Sequence, residues 1–259
     1  LSAAPDYKVV IPARYGSTRL PGKPLLDLGG KPLLQHVYER ARASGATEIV
    51  VATDDKRVVA VCQAFGADVA LTSANHHSGS DRIAEVIRAR GWDVQAIVVN
   101  LQGDEPCMPP TLIDQVAGDL AAHPNASIAT LAVPIADVDS LFDPHVVKVV
   151  RNAAGLALYF SRAPIPWHRD EFLRGKKSFP REIPFLRHIG LYAYRAGVLE
   201  RFVQWPAAPL ELAESLEQLR CLWNGEAIYV GLAKEQPGPG VDTAADLQQA
   251  LAMLAQSQA

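Results

Sequence analysis

Residues 7–38 read YKVVIPARYGSTRLPGKPLLDLGGKPLLQHVY. Val9 to Pro12 close a short apolar, β-branched run, which predicts a buried strand. The run stops in a loop that carries Arg14, Arg19 and Lys23 among two glycines and two prolines. Beyond the loop, KPLLQHVYERARASG (31–45) predicts a helix, with Pro32 at an early helical position and Gly45 as its stop. Leu33, Leu34, Val37, Tyr38 and Ala41 fall on one face of it. The resulting order is a buried strand, a cationic loop and an amphipathic helix. In an open α/β sheet, ligands sit beyond the carboxyl ends of the strands, where this loop lies.

The same alternation continues outward. EIVVAT (48–53), DVALT (68–72) and QAIVVNLQGD (95–104) predict strands. Between and after them, DKRVVAVCQAFG (55–66), SDRIAEVIRARG (80–91) and PPTLIDQVAGDLAAH (109–123) carry helical periods. Near-continuous apolar strands alternating with helices imply a mostly parallel central sheet with helices on both faces. The pattern changes after residue 133. ASIATLAVPI (126–135), VVKVVRN (146–152) and LALYFS (156–161) are strands with no long helix between them. A long Pro-rich, charged connection (161–188) follows, then HIGLYAYR (188–195) as a strand. PLELAESLEQLRCLWNG (209–225) reads as one helix, AIYVGLA (227–233) as a strand and TAADLQQALAMLAQ (243–256) as a closing helix. Thr243 is its expected N-cap, with Asp246 completing a capping box. We divide the chain into an α/β region at 7–133, a smaller subregion at 134–225 and a return to the α/β region at 226–257, as two lobes of one continuous domain.

Composition narrows the function classes. The 259 residues are 49% apolar, enough for a sizeable core. The net charge of −3 gives no general reason to bind nucleic acid or an anionic membrane. Three cysteines, Cys62, Cys107 and Cys221, lie far apart without a CxxC, so a reducing cytoplasm is expected rather than a disulfide framework or zinc knot. No apolar run is long enough to span a bilayer, and LSAAPDY (1–7) is too short and polar for a signal peptide.

Three strand-following segments carry candidate chemistry. The opening loop has neither GxxxxGK[ST] nor GxGxxG. It does offer backbone amides near Gly16, hydroxyls on Ser17 and Thr18, and the cations Arg14, Arg19 and Lys23, a set that suits a polyphosphate. A solvated basic turn is the plainer alternative. In VVNLQGDEP (98–106), Asp104 directly follows a buried strand and is placed to hold a divalent cation; Glu105 is its rival or simply points to solvent. In PGPGVDTAADL (237–247), Asp242 is either a helix-cap residue or the second carboxylate of a metal pair. HHSGSDR (76–82) suits a nucleobase edge or phosphate as well as it suits a plain loop and N-cap, and it is a poor zinc site. Glu211, Glu214 and Gln218 fall roughly on one helical face, a solvated face or a row of acceptors for sugar hydroxyls. There is no GxSxG and no activated cysteine motif, so positioning and charge neutralisation are favoured over a covalent intermediate.

IPARYGSTRLPGKPL, HHSGSDRIAEV, VNLQGDEP, LYFSRAPIPW, LRHIGLYAYR, PLELAESLEQLRCLWNGE and PGPGVDTAADL resemble, in order and spacing, the CMP-KDO synthetases (3-deoxy-manno-octulosonate cytidylyltransferases). The likeness covers nearly the whole chain. It implies a Rossmann-like nucleotidyltransferase fold and a homodimer built through the smaller, sugar-binding subregion. It also implies the Mg²⁺-dependent reaction of CTP with KDO to give CMP-KDO and pyrophosphate, in lipopolysaccharide synthesis. Carried over by matching positions, Asp104 and Asp242 are the metal carboxylates, and Arg14, Lys23, Asp104 and Asp242 are the catalytic set. Ala13, Arg14, Lys23, Ser78, Gly79 and Gln102 meet CTP, with Arg82 in a structural or phosphate role. Gln102, Arg162, His188, Tyr192, Glu211 and Glu214 meet the sugar, the cationic members facing its carboxylate. A relative acting on another acid sugar, 8-amino-KDO or sialic acid, is the alternative.

Overall fold

The computed structural model describes residues 5–16, 20–76, 78–173, 179–180 and 182–256. Ser17, Thr18, Arg19 and His77 lie outside the described residues. Strand β1 (Tyr7–Pro12) is covered on both faces: Val9 and Ile11 point into one core and Val10 into the other. That two-sided burial explains its unbroken apolar run. Helix α1 (Leu33–Arg42) follows, then β2 (Glu48–Thr53), α2 (Lys56–Ala64), β3 (Asp68–Leu71), α3 (Gly79–Arg90), β4 (Ile97–Asn100), α4 (Pro110–Ala122) and β5 (Ile128–Pro134). Short α5 (Val138–Phe142), β6 (Lys148–Arg151), β7 (Ala157–Ser161) and α6 (Arg169–Phe172) form the irregular middle. The chain closes with β8 (Leu186–Arg195), α7 (Ala196–Phe202), α8 (Pro209–Glu214), α9 (Gln218–Trp223), β9 (Ile228–Leu232) and α10 (Ala244–Gln256).

The sheet order is β3-β2-β1-β4-β8-β5-β9, with β6 paired to β7 and β8. β1 pairs in parallel with β2 and with β4, so Val9 lies opposite Ile49 on one side and Val99 on the other. β8 runs antiparallel between β4 and β5, while β9 is parallel to β5. Helices α1, α2, α4 and α10 cover one face; α3, α7 and α9 cover the other. The chain steps outward from β1 to β2 and β3, then returns to β4 on the opposite side of β1. The loops after β1 and β4 therefore part at their carboxyl ends, and a crevice opens between them.

Two local expectations change. Pro32 is the N-cap of α1 rather than an early helical residue, and α1 ends at Arg42, before Gly45. The single helix expected at 209–225 is two helices. Ser215 takes a left-handed conformation (φ 52°) and breaks them apart. The expected face of Glu211, Glu214 and Gln218 is therefore not one face. At α10 the capping box forms as expected: the Thr243 N–H donates to Asp246 Oδ2 at 2.7 Å, and the Asp246 N–H donates to Thr243 Oγ1 at 3.3 Å.

Candidate active site

The loop after β1 is tied at both ends. The Ala13 N–H donates to the Ala52 carbonyl at 2.8 Å, and the Gly22 N–H donates to the Tyr15 carbonyl at 3.2 Å. Gly22 sits at φ +69°, and a Cβ there would come within 3.1 Å of the Tyr15 hydroxyl, so this position needs glycine. The turn delivers Lys23 inward, and it is buried. The loop after β4 presses on the first one: a Cβ on Gly103 would lie 2.8 Å from the Pro12 carbonyl oxygen. Gly103→Ala must therefore push the two loops apart. We expect it to cost about 1–3 kcal/mol of stability and to raise the KM for the nucleotide. Thermal unfolding and steady-state kinetics read both effects; unchanged values for both would show that the loops are not in register-setting contact.

A third loop arrives from the far end of the chain. The Val241 N–H donates to the Asp104 carbonyl at 2.8 Å, which brings Asp242 beside Asp104. Lys23 Nζ lies between their carboxylates, 2.7 Å from Asp104 Oδ2 and 3.0 Å from Asp242 Oδ1. Glu105 does not point to open solvent: a Cβ on Gly240 would lie 2.9 Å from its Oε1. Burial, reinforced by the negative charges of Asp104 and Asp242, pushes its carboxyl up to about 8. Two carboxylates thus converge on one cation position. Among the described residues there is no cluster of three or more His, Cys, Asp or Glu side chains placed to hold a metal. The all-oxygen pair fits Mg²⁺, which takes one or two carboxylates and completes its shell with water and substrate phosphates.

The N-terminus of α3 forms the opposite wall. Ser78 caps it through a reciprocal capping box with Asp81, and Gly79 packs against Pro12. The cleft so enclosed has a volume of about 310 Å³. Of the residues singled out by sequence, Ala13, Arg14, Lys23, Ser78, Gly79, Gln102, Asp104 and Asp242 line it. Arg82 lines it too, but its guanidinium is engaged by Asp54 at 2.9 Å and by Thr72. His76 is paired with Glu85, and Glu217 reaches the cleft from the start of α9. No local motif marks Glu217; it accepts a hydrogen bond from Ser80 Oγ at 3.1 Å, across 137 residues of chain.

The remaining sequence-selected residues do not line that cleft. Glu211 accepts from Arg220 Nε at 2.7 Å and Nη2 at 2.5 Å, and also caps α8 through the Ala208 N–H. Glu214 accepts from Ser161 Oγ at 2.5 Å and from the Arg162 N–H at 2.9 Å. Arg162 donates to the Glu214 and Pro144 carbonyls. Tyr192 is buried in a small cavity next to the cleft, shared with Ser80, Glu217 and Gln218. Gln218 Nε2 is buried there with no hydrogen-bond partner among the described residues.

His188 packs against Phe160 and Tyr192 and shares a 3.0 Å hydrogen bond with Thr130 Oγ1. Burial, aided by Arg187, pushes its imidazole from 6.5 down to about 3. It is therefore neutral near pH 7 and offers a hydrogen bond, not a charge, to any anion. The unfolded chain takes up a proton near pH 6.5 that the folded chain refuses until about pH 3. Stability should thus fall as the pH drops through this window. His188→Gln should flatten that slope in denaturant titrations between pH 7 and pH 5; an unchanged slope would contradict the neutral imidazole.

Comparison with known proteins extends beyond the cleft. The family model described as cytidylyltransferase matches residues 8–228. A 3-deoxy-manno-octulosonate cytidylyltransferase of Nitrosococcus oceani is 55% identical over 250 residues, 96% of each chain. One from Pseudomonas syringae pv. tomato is 57% identical over 248 residues, covering 96% of this chain and 98% of the relative. A solved structure of CMP:2-keto-3-deoxy-manno-octonic acid synthetase complexed with CTP superposes with a TM-score of 0.88 at 44% identity, covering 98% of this chain and all of the other. A cytidylyltransferase structure from Leptospira borgpetersenii shares the fold alone, with a TM-score of 0.59 at 19% identity over 93% of this chain and 83% of the other.

Proposed function

The chain belongs to the family of 3-deoxy-manno-octulosonate cytidylyltransferases, and from that premise we propose that it converts CTP and KDO to CMP-KDO and pyrophosphate for lipopolysaccharide synthesis. The observation that carries the reading is the meeting of Lys23, Asp104 and Asp242 at the switch-point cleft. The sugar 2-hydroxyl attacks the α-phosphorus in line. A new bond forms between the hydroxyl oxygen and the α-phosphorus, the hydroxyl proton passes to solvent, and the bond from the α-phosphorus to the bridging oxygen breaks, its electron pair leaving with pyrophosphate. Arg14 and Lys23 bind the triphosphate and offset the charge that grows on the leaving group. Asp104 and Asp242 would hold Mg²⁺, which when bound supplies Lewis-acid charge neutralisation and favours ionisation of the attacking hydroxyl. Ala13, Ser78, Gly79 and Gln102 orient the nucleotide from the cleft walls. The substrate sugar approaches from the side of Glu217, which lines both the cleft and the small cavity that holds Tyr192.

We place the enzyme in the cytoplasm as a homodimer. The described cysteines are all free and buried, which suits a reducing compartment. No described helix is long and apolar enough to cross a membrane. Among the described residues β7 pairs only with β6, and Leu158 on it is 61% exposed. A groove of about 710 Å³ lies nearby, lined by Val149, Ile183, Leu186 and Tyr229 together with Arg151 and Asn152. Such an edge and groove support a subunit contact through this region.

Pyrophosphate release from CTP and Mg²⁺ tests the substrate reading, with KDO, 8-amino-KDO, sialic acid or no sugar in parallel. Release with KDO is expected. Release only with another acid sugar would keep the nucleotide site and overturn the sugar.

A further inference from the structure

Lys148 has no solvent exposure at all. It lies on β6 between two neighbours, opposite Ser161 of β7 and Arg187 of β8. Its ammonium donates to three main-chain carbonyls: Asp143 at 2.8 Å, Val146 at 2.6 Å and Arg162 at 2.6 Å. An ammonium has three N–H donors, and all three are used. It therefore has none left for a substrate. Burial lowers its pKa, with Asp143 and Glu214 opposing, and among the described residues no carboxylate lies within ion-pair distance. A desolvated cation is costly to keep. This one persists in a cage of three carbonyls, two from the single turn Asp143–Val146 and one from Arg162 just after β7.

Those two segments lead outward to three residues of the acid-sugar set. The Arg162 carbonyl is one wall, and its N–H and guanidinium bind Glu214. Glu214 is held again by Ser161, the cross-strand partner of Lys148. The Val147 carbonyl, between the cage residue Val146 and Lys148 itself, receives the backbone N–H of His188 at 2.8 Å. We propose that Lys148 is a positioning residue for sugar recognition, a buried anchor that sets Arg162, Glu214 and His188 against the incoming acid sugar without touching it. The inference rests on the reading that these three residues serve the sugar.

The test is the division between the two Michaelis constants. Lys148→Met keeps the length of the stem and removes the ammonium. We expect the KM for KDO to rise about ten- to a hundredfold, the scale of an ångström-level misplacement, with the KM for CTP within about twofold. A merely structural role would lower the active fraction and the unfolding temperature and leave both KM values alone, which would overturn the inference. Ser161→Ala keeps the buried charge and loosens only the Glu214 tie. It should shift the KDO KM in the same direction, which keeps the inference testable if Lys148→Met fails to fold; no shift would count against it. Arg162→Ala separates the two levels. If it raises the KDO KM and neither other variant does, the anchor fails and the sugar site stands. If it leaves the KDO KM unchanged, the reading of the sugar site itself falls.

Discussion

Asp104→Asn and Asp242→Asn should each lower kcat by roughly 10²–10³, while CTP binding changes by less than about tenfold. The substitution is nearly isosteric, so the loops keep their contacts. It removes one of the two negative charges that converge on Lys23. A neutral amide holds a hard divalent cation poorly. The triphosphate still meets Arg14, Lys23 and the cleft walls, so ground-state affinity largely survives. The loss falls on turnover because charge on the leaving pyrophosphate grows only as the transition state forms. Near-normal turnover of either variant at saturating Mg²⁺ would remove that carboxylate from the metal assignment.

Lys23→Ala should reduce kcat/KM for CTP by about 10²–10³, on the order of one preorganised donor to developing charge. The same variant should bind Mn²⁺ more tightly in the absence of nucleotide. Its ammonium occupies the point between Asp104 and Asp242. Once gone, the Lys23 ammonium no longer competes with the metal for those carboxylates. Opposite signs for turnover and metal affinity are not expected of a lysine that only stabilises the fold. Equal loss of both would make Lys23 a structural ion-pair partner; unchanged kcat/KM would contradict its role in the phosphate cradle.

Much of this was legible along the chain because the site is built where local signals are strong. The apolar run at Val9–Pro12, the Gly/Pro-pinned loop and the helix after it set the parallel sheet and its crevice. Asp104 stands in the turn that follows β4, and Asp242 stands just before the cap of α10; each is marked by its own turn. What the sequence hid depends on tertiary contact. No glycine or proline announces the left-handed Ser215, so two helices read as one. Glu211 then finds Arg220 across the break, and Glu214 finds Ser161 in a different strand. Glu105 looks exposed beside Pro106 until the loop at Gly240 closes over it. Glu217 reaches the cleft only because α9 packs beside the start of α3, where Ser80 meets it. Lys148 reads as an ordinary strand lysine, and only the turn at Asp143–Val146 together with the Arg162 carbonyl beyond β7 makes a cage around it.

The most direct test of the account is a crystal soaked with Mn²⁺ and CTP, with the metal located by anomalous scattering. The account predicts a peak held by the carboxylates of Asp104 and Asp242, with Lys23 displaced from between them onto the triphosphate. A peak elsewhere, with Lys23 still bridging the two carboxylates, would contradict it.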